Sequence, residues 1–496
     1  DAIEKKDFVM DLGFMIGHGP LRSYVMGYER CQSQVDASKE EISKMSDIVT
    51  EAIESGALGF STSRTILHRD VHGVYVPGTE ASSEEMKSLA FAIDKAGEGT
   101  LEIVSDWLDK EIEMSWMREY VEKSDCGLTV LQTSGDAVKT ILFCEEQFLK
   151  GKNVRPQFPG RNVGMMFGLE SSLHPFIGHP SYREIADLPL SERVKIMKDP
   201  AFKEKLLNEK PNFASEIEKS MNEQGNTKSQ EEIKEAANLG LKLISNYDTQ
   251  FILGDPPNYE PGKEDSIAAL AKSKGIAELE VIYDEFLKNE GTNLVYACFT
   301  PYDNHKLDFV ERAYSLKSSV AGGSDGGAHC GLICDASMPT TNLSHWARDR
   351  EAGKKIPIEL IVRKQTKDTA ETYGLFDRGE IKTGMLADLN IIDFEKLNVT
   401  HPKMVYDLPL GGRRLIQTSS GYLATVKSGE VVYEAGEATG VLPGKLIRGK
   451  QTCEVKTEKE RVPFIDRTLR LMSVKAFKLL WNFRKSSVKT TVVSDD

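Results

Sequence analysis

Long uncharged apolar runs are missing from this 496-residue chain: none reaches about 18 residues, which excludes a transmembrane helix on hydropathy. Cys-x-x-Cys pairs are also missing, and the seven cysteines are scattered and odd in number. That excludes a disulfide framework and reads as reduced thiols in a reducing compartment, so a cytoplasmic location is expected. Positive charge is short, with 63 Lys and Arg against 76 Asp and Glu and a net charge of -13. A surface of that sign excludes a broad nucleic-acid footprint. Internal repeats are absent, which excludes a solenoid. An initiator Met and a signal-peptide pattern are lacking too, for the chain opens Asp1-Ala2-Ile3. It runs at once into Asp7 to Gly17, which reads as a buried strand, so a missing N-terminal segment is expected.

What is present is ordinary globular composition, 40% hydrophobic and 28% charged, with ample length for a large core. Strand-like and helix-like stretches alternate. Ser38 to Ser55 carries Ile42, Met45, Ile48, Val49, Ala52 and Ile53 at helical spacing, with Ser38 and Glu41 as a capping box. Short strands are expected at Gly56–Thr62, Thr100–Val104 and Leu128–Gln132, with helices at Ser82–Ala96, Glu111–Lys123 and Ala137–Leu149 between and after them. This rhythm implies parallel strands with crossover helices. Residues 161–232 break it and read as a helical insertion. The rhythm resumes with strands at Leu241–Tyr247, Leu294–Phe299 and Val320–Gly323, and a helix at Pro357–Tyr373. Near Gly384 the texture changes to short strands separated by Gly411-Gly412, Ser428-Gly429 and Ala435-Gly436, a small β module. The expected domains are therefore 1–380, 381–450 and a tail, 451–496.

The strongest chemical signal is Ser324-Asp325-Gly326-Gly327-Ala328-His329, a Gly-rich turn directly after an apolar strand. In a parallel α/β barrel, active sites gather at the C-terminal strand ends. A carboxylate there can bind a metal or take a proton from water, and His329 can share the same mouth. The bland alternative is a capping Asp beside a satisfied His. Arg64 and His68 follow a strand end, where a guanidinium can hold a substrate carboxylate; otherwise they are loop residues. His174 and His179 have ligand-like spacing, but flanking prolines favour packing.

Four stretches then keep one order along the chain. They are Gly17-His18-Gly19-Pro20-Leu21-Arg22, Gly56-Ala57-Leu58-Gly59-Phe60-Ser61-Thr62 with Val76-Pro77-Gly78, Gly323-Ser324-Asp325-Gly326, and Gly379-Glu380-Ile381-Lys382-Thr383-Gly384-Met385-Leu386-Ala387-Asp388-Leu389. Together they resemble the N-acyl-D-amino-acid deacylase (D-aminoacylase) branch of the amidohydrolase superfamily, in a subgroup of its own. The resemblance implies a (β/α)8 TIM-type barrel, N-terminally incomplete here, beside a small β-sandwich. It implies a hydrolase acting on carbon–nitrogen bonds other than peptide bonds through water activated by a divalent metal, with zinc expected. Asp325 and His329 would be catalytic, and Arg64, His68 and His18 would meet a small amide or N-acyl amino acid. The superfamily's His-x-His is absent from this sequence, and the segments matching strands five and six hold no His. Glu102 and Asp106 stand there instead, so the expected metal ligands are Asp325, Glu102 and Asp106. The rival expectation is a degenerate, metal-free barrel serving as a binding or scaffold protein.

The tail holds ten Lys or Arg against six Asp or Glu, with Ile465, Leu469, Met472, Phe477, Leu480 and Trp481 at roughly helical spacing. A basic amphipathic helix of this kind lies on an anionic membrane surface or packs against a partner subunit or the barrel.

Overall fold

The computed structural model describes residues 2–69, 74–107, 109–133, 138–213, 238, 240–327 and 329–453. The expected tail helix falls at 454–496, outside the described residues.

The first half of the chain alternates as its patterning requires. Strand β1 (Ile16–Gly17) leads into helices α1 (His18–Met26), α2 (Tyr28–Gln32) and α3 (Lys39–Glu54). The capping box forms, with the Ser38 side chain accepting from the Glu41 amide and Glu41 from the Ser38 amide. The stripe Ile42, Met45, Val49 and Ile53 is buried. Each such side chain contributes roughly 1.5–3 kcal/mol of burial. Strand β2 (Gly59–Arg64), α4 (Ser83–Ala96), β3 (Thr100–Ser105), α5 (Lys110–Lys123), β4 (Gly127–Leu131), α6 (Val138–Leu149) and β5 (Val154–Pro159) follow. The glycine of the Gly-Ala-Leu-Gly stretch has a geometric cause. At Gly59, with φ +156°, an added Cβ would lie 1.9 Å from the Thr100 carbonyl oxygen, so only glycine lets β2 close on β3.

These strands and β9 (Val320–Gly322) form one six-stranded, all-parallel sheet in the order β1-β2-β3-β4-β5-β9. Among the described residues it does not close: β1 pairs only with β2, and β9 only with β5. The α/β class is as expected.

Between β5 and β9 the chain builds a separate antiparallel sheet from β6 (Val163–Phe167), β7 (Gln250–Ile252) and β8 (Val295–Thr300), ordered β6-β8-β7. The expected helical insertion, 161–232, is corrected at its start: β6 opens it as a strand, held by pairing with β8, the helices Pro180–Arg183, Leu190–Met197 and Pro200–Asn208 follow, and residues 214–232 lie outside the described set. Its core is aromatic: Phe176 stacks edge-on against Tyr283 and Phe286, with His174 beside them. The 294–299 stretch is thus a strand of this sheet and no part of the barrel wall. Leu241–Tyr247 is not a strand but helical turn.

After Gly384 come β10 (Leu389–Ile392), β11 (Asn398–Val399), β12 (Lys403–Leu408), β13 (Gly412–Ile416), β14 (Ser419–Ser420), β15 (Tyr422–Lys427), β16 (Glu430–Glu434) and β17 (Glu437–Ala438), all in antiparallel pairings. The opening stretch differs from its reading as a buried strand. Only Ile16 and Gly17 join the sheet, while Phe8 and Leu12 make single bridges to Gly444 and Leu446. Met10 and Phe14 are exposed. Among the described residues no helix is long and apolar enough to cross a membrane, and all seven cysteines are free.

Candidate active site

The C-terminal ends of β2, β3, β4, β5 and β9 surround a cavity of about 310 Å³, into which Ser63, His68, Glu102, Gln157, Thr133 and Asp325 face. A larger cavity, about 820 Å³, lies at the opposite end, among Thr100, Gly127, Asn153 and Arg155 at the strand N-termini. Size favours the second. Chemistry favours the first, because parallel α/β sheets direct functional side chains from the C-terminal strand ends.

Asp325 and His329 both sit on the exposed turn after β9, each with positive φ, +38° and +47°. Such a backbone is strained for a residue other than glycine, and strain of this kind gathers at functional sites. His68 stands on the rim, its Nδ1 2.6 Å from Ser63 Oγ. The walls around it disfavour its charged form, and His329 repels the charge further. Asp325 and Asp106 offset part of this, and the imidazole stays below its usual range. It is therefore neutral at neutral pH and free to accept a proton.

Glu102 enters the cavity from β3, and its Oε2 accepts from the Tyr373 hydroxyl at 2.9 Å. Tyr373 also receives a bond from Gln157 Nε2 at 3.1 Å. Burial and the Glu102 charge hold the Tyr373 phenol far above its usual range, so it remains a donor. Asp106 Oδ2 accepts from the Ile66 amide at 2.7 Å and ties the His68 loop to β3.

Two expected substrate contacts are corrected. His18 is 2% exposed, with Nδ1 2.8 Å from Thr62 Oγ1 and Nε2 2.8 Å from Glu85 Oε1. Arg22 bonds the same carboxylate at 2.8 Å. The Gly-His-Gly-x-Leu-Arg stretch therefore builds a buried network under the sheet edge, and neither ring nitrogen is left for a ligand. Gly78 belongs to it, since a Cβ there, at φ +102°, would lie 2.6 Å from His18 Nδ1. Arg64 is equally committed: it bonds Glu113 Oε1 at 2.8 and 2.6 Å and the carbonyls of Gly78 and Ala81. It fixes the loop that carries His68 rather than presenting a free guanidinium.

The expected metal ligands are corrected on the same ground. Among the described residues no three His, Cys, Asp or Glu side chains converge as a metal site. Asp325, Glu102 and Asp106 do not gather round one point, and the latter two carry protein donors already. Among the described residues, this trio does not fit an ion.

Sequence reasoning missed a second acid near the mouth. Arg161, at the exit of β5, is fully buried and forms a 3.0 Å ion pair with Asp335, itself 2% exposed. Its Nη2 bonds the Cys334 carbonyl at 3.0 Å, and its guanidinium lies 3.7 Å from the Tyr259 ring centre. Burial pushes the Asp335 carboxyl up to about 6, Arg161 opposes this, and the Asp325 charge adds to it. The only signal available was an acid ten residues beyond Asp325 in the same inter-element loop. Glu85 was legible only as the third residue after the Ser82 cap of α4.

Residues 5–433 match the amidohydrolase family. An uncharacterized protein of Mycobacterium tuberculosis is 23% identical over 468 residues, spanning 89% of this chain and 71% of the relative. An uncharacterized protein of Mycobacterium bovis matches to the same extent. Among solved structures, a D-aminoacylase is 18% identical with a TM-score of 0.47, over 88% of this chain and 72% of that one. An N-acyl-D-glutamate deacylase of Bordetella bronchiseptica, solved with zinc and a phosphonate inhibitor, is 17% identical with a TM-score of 0.48, over 89% and 72%. With the family matched across most of its length, the chain belongs to the amidohydrolase family, hydrolases of carbon–nitrogen bonds other than peptide bonds.

Proposed function

We propose that the mouth of the parallel sheet hydrolyses a small amide of the N-acyl amino acid kind, with Asp325 as the proton acceptor. One observation carries the reading: Asp325 and the rim imidazole of His68 line a single cavity at the strand C-termini. Family membership supports it. Water oxygen bonds to the acyl carbon while Asp325 takes the water proton. The carbon–nitrogen bond then breaks, Asp325 passes its proton to the leaving nitrogen, and the new carboxylic acid gives its own proton to the amine, so that a carboxylate and an ammonium depart. His68, uncharged at neutral pH, is suited to hold the leaving nitrogen or relay that proton. The resemblance to deacylases makes zinc the ion to include in assays, although these residues assign it no step. Seven free thiols support a cytoplasmic location.

A second reading, a binding protein on an inherited barrel, is favoured by the engagement of Glu102 and Asp106 with Tyr373 and the Ile66 amide. One experiment separates them. N-acetyl-D- and N-acetyl-L-amino acids are incubated with the wild type and Asp325→Asn, with and without added zinc, and released amine is measured. Hydrolysis is expected for the wild type, with a loss of about 100-fold or more in the variant, the scale of a general base. Binding of the same compounds by calorimetry without turnover would favour the second reading and retire the first.

A further inference from the structure

The turn that carries Asp325 belongs to a loop, residues 323–337, that joins β9 to the short helix Met338–Thr341. Its middle is fastened from two sides. The antiparallel insertion holds it through Met166 N to the Leu332 carbonyl, 2.7 Å, and Ser172 N to the Gly331 carbonyl, 2.9 Å. Strand β13 holds it through Leu415 N to the Cys330 carbonyl, 2.7 Å. Its far end is gripped by Arg161, which reaches the Cys334 carbonyl, the Asp335 carboxylate and, at 3.5 Å, Ser337 Oγ, while the Ser337 hydroxyl also donates to Gln417 Oε1.

We infer that Arg161 and Asp335 are a positioning pair for Asp325: the ion pair fixes the end of the loop, and through it the place of the Asp325 carboxylate above the cavity. The inference rests on the proposed role of Asp325. The path is short. A Cβ added to Gly326, next to Asp325, would meet the Ala336 methyl at 3.6 Å, so the two ends of the loop lie side by side with about a methyl group's width between them. Asp335-Ala336 thus forms the near wall beside Asp325-Gly326, and release of the far end frees the space that the Asp325 turn occupies. Arg161 cannot yield in its turn. It is fully buried, bonded by Nη1 to the Tyr296 hydroxyl at 3.3 Å and stacked on Tyr259. Both Asp335 oxygens lack a hydrogen-bonding partner, so the contact with Arg161 is their compensation. A buried ion pair adds little net stability because desolvation offsets attraction, but its geometry is demanding. That profile suits a device that sets position.

The test uses the full chain carrying Asp335→Asn, Arg161→Lys or Arg161→Met. Amide hydrogen exchange is followed over 323–337 and, as an internal control, over β2 to β4. Turnover of the N-acetyl amino acid that the wild type hydrolyses best is measured in parallel. Exchange in 323–337 is expected to accelerate at least tenfold in Asp335→Asn and Arg161→Met, with the control strands unchanged. Turnover should fall at least tenfold with KM within twofold, and Arg161→Lys, which keeps the charge, should recover part of it. Unchanged exchange over the loop would overturn the inference. Acceleration over the whole chain would also overturn it, by making the pair a general core contact. If the wild type hydrolyses none of the compounds, the proposed role of Asp325 fails, while the exchange pattern still decides whether the pair fixes the loop.

Discussion

At the scale of single residues, the motif histidine and arginine do structural work. His18, Arg22 and Glu85 share one buried carboxylate, with desolvation holding the imidazole below its usual range against the pull of Glu85. Glu85→Gln leaves the Arg22 charge uncompensated in the interior, which is expected to destabilise the fold by about 3–5 kcal/mol. Urea unfolding followed by circular dichroism reads that loss; a midpoint equal to the wild type would show that the network is not needed. Asp335 makes a prediction in pH. Its carboxyl is raised in the folded protein from 3.8 to about 6, with Arg161 and the Asp325 charge as its charged neighbours. Its contribution to stability is therefore fully present below its unfolded pKa and is lost as pH rises through about 6. Denaturation midpoints of the wild type and Asp335→Asn, compared at pH 7.5 and pH 5, should shift in favour of the wild type at the lower pH. An identical difference at both values would mean that the carboxyl titrates normally.

At the scale of elements, the sequence disclosed what periodicity can disclose. The buried stripe of α3 and the β-then-α order through α6 were legible because each helix presents one apolar face to one sheet. Strand β5 was not, since Val154-Arg155-Pro156-Gln157-Phe158-Pro159 holds two prolines, which lack the N–H a ladder needs. It is nevertheless central, paired with β4 and β9, with Pro156 opposite Val130. Strand β8 was legible as a strand but not as a member of the second sheet, because a short apolar run carries no mark of its partners. The Asp325 turn could be found from its place after β9, whereas the Arg161–Asp335 pair joins two loops far apart in sequence, and no local pattern reports that. The insertion carries its own prediction. Phe176 is fully buried among Tyr283, Phe286 and His174. Phe176→Ala should remove about 3–5 kcal/mol from this unit. Because β6 also holds the middle of the 323–337 loop, limited proteolysis should open both segments together. Cleavage in the insertion with the loop still protected would show that the two are uncoupled.

At the scale of the whole molecule, the chain is stitched together by residues 444–451. Gly444 N bonds the Phe8 carbonyl, Ile447 N that of Leu12, Gly449 N that of Gly56, and Gln451 N that of Gly374. Phe376 N returns the last contact to the Gln451 carbonyl at 2.9 Å. This strap ties the opening of the chain, the start of β2 and the exit from the parallel sheet to one another. A chain ending at Cys453 should therefore unfold in one thermal transition, whereas one ending at Thr439 should melt lower or in two steps, as differential scanning calorimetry would record. Equal melting of the two would remove the strap from the account. The outer edges of the sheet have a different consequence. Among the described residues, β1 offers its free side over two residues only and β9 over three. A run of backbone donors and acceptors that brief gives a foreign strand too few bonds to choose a register. Brevity thus limits what a foreign strand can gain at either edge, and an insertion that lengthened one of them with alternating Val and Thr is expected to promote aggregation, as light scattering would show.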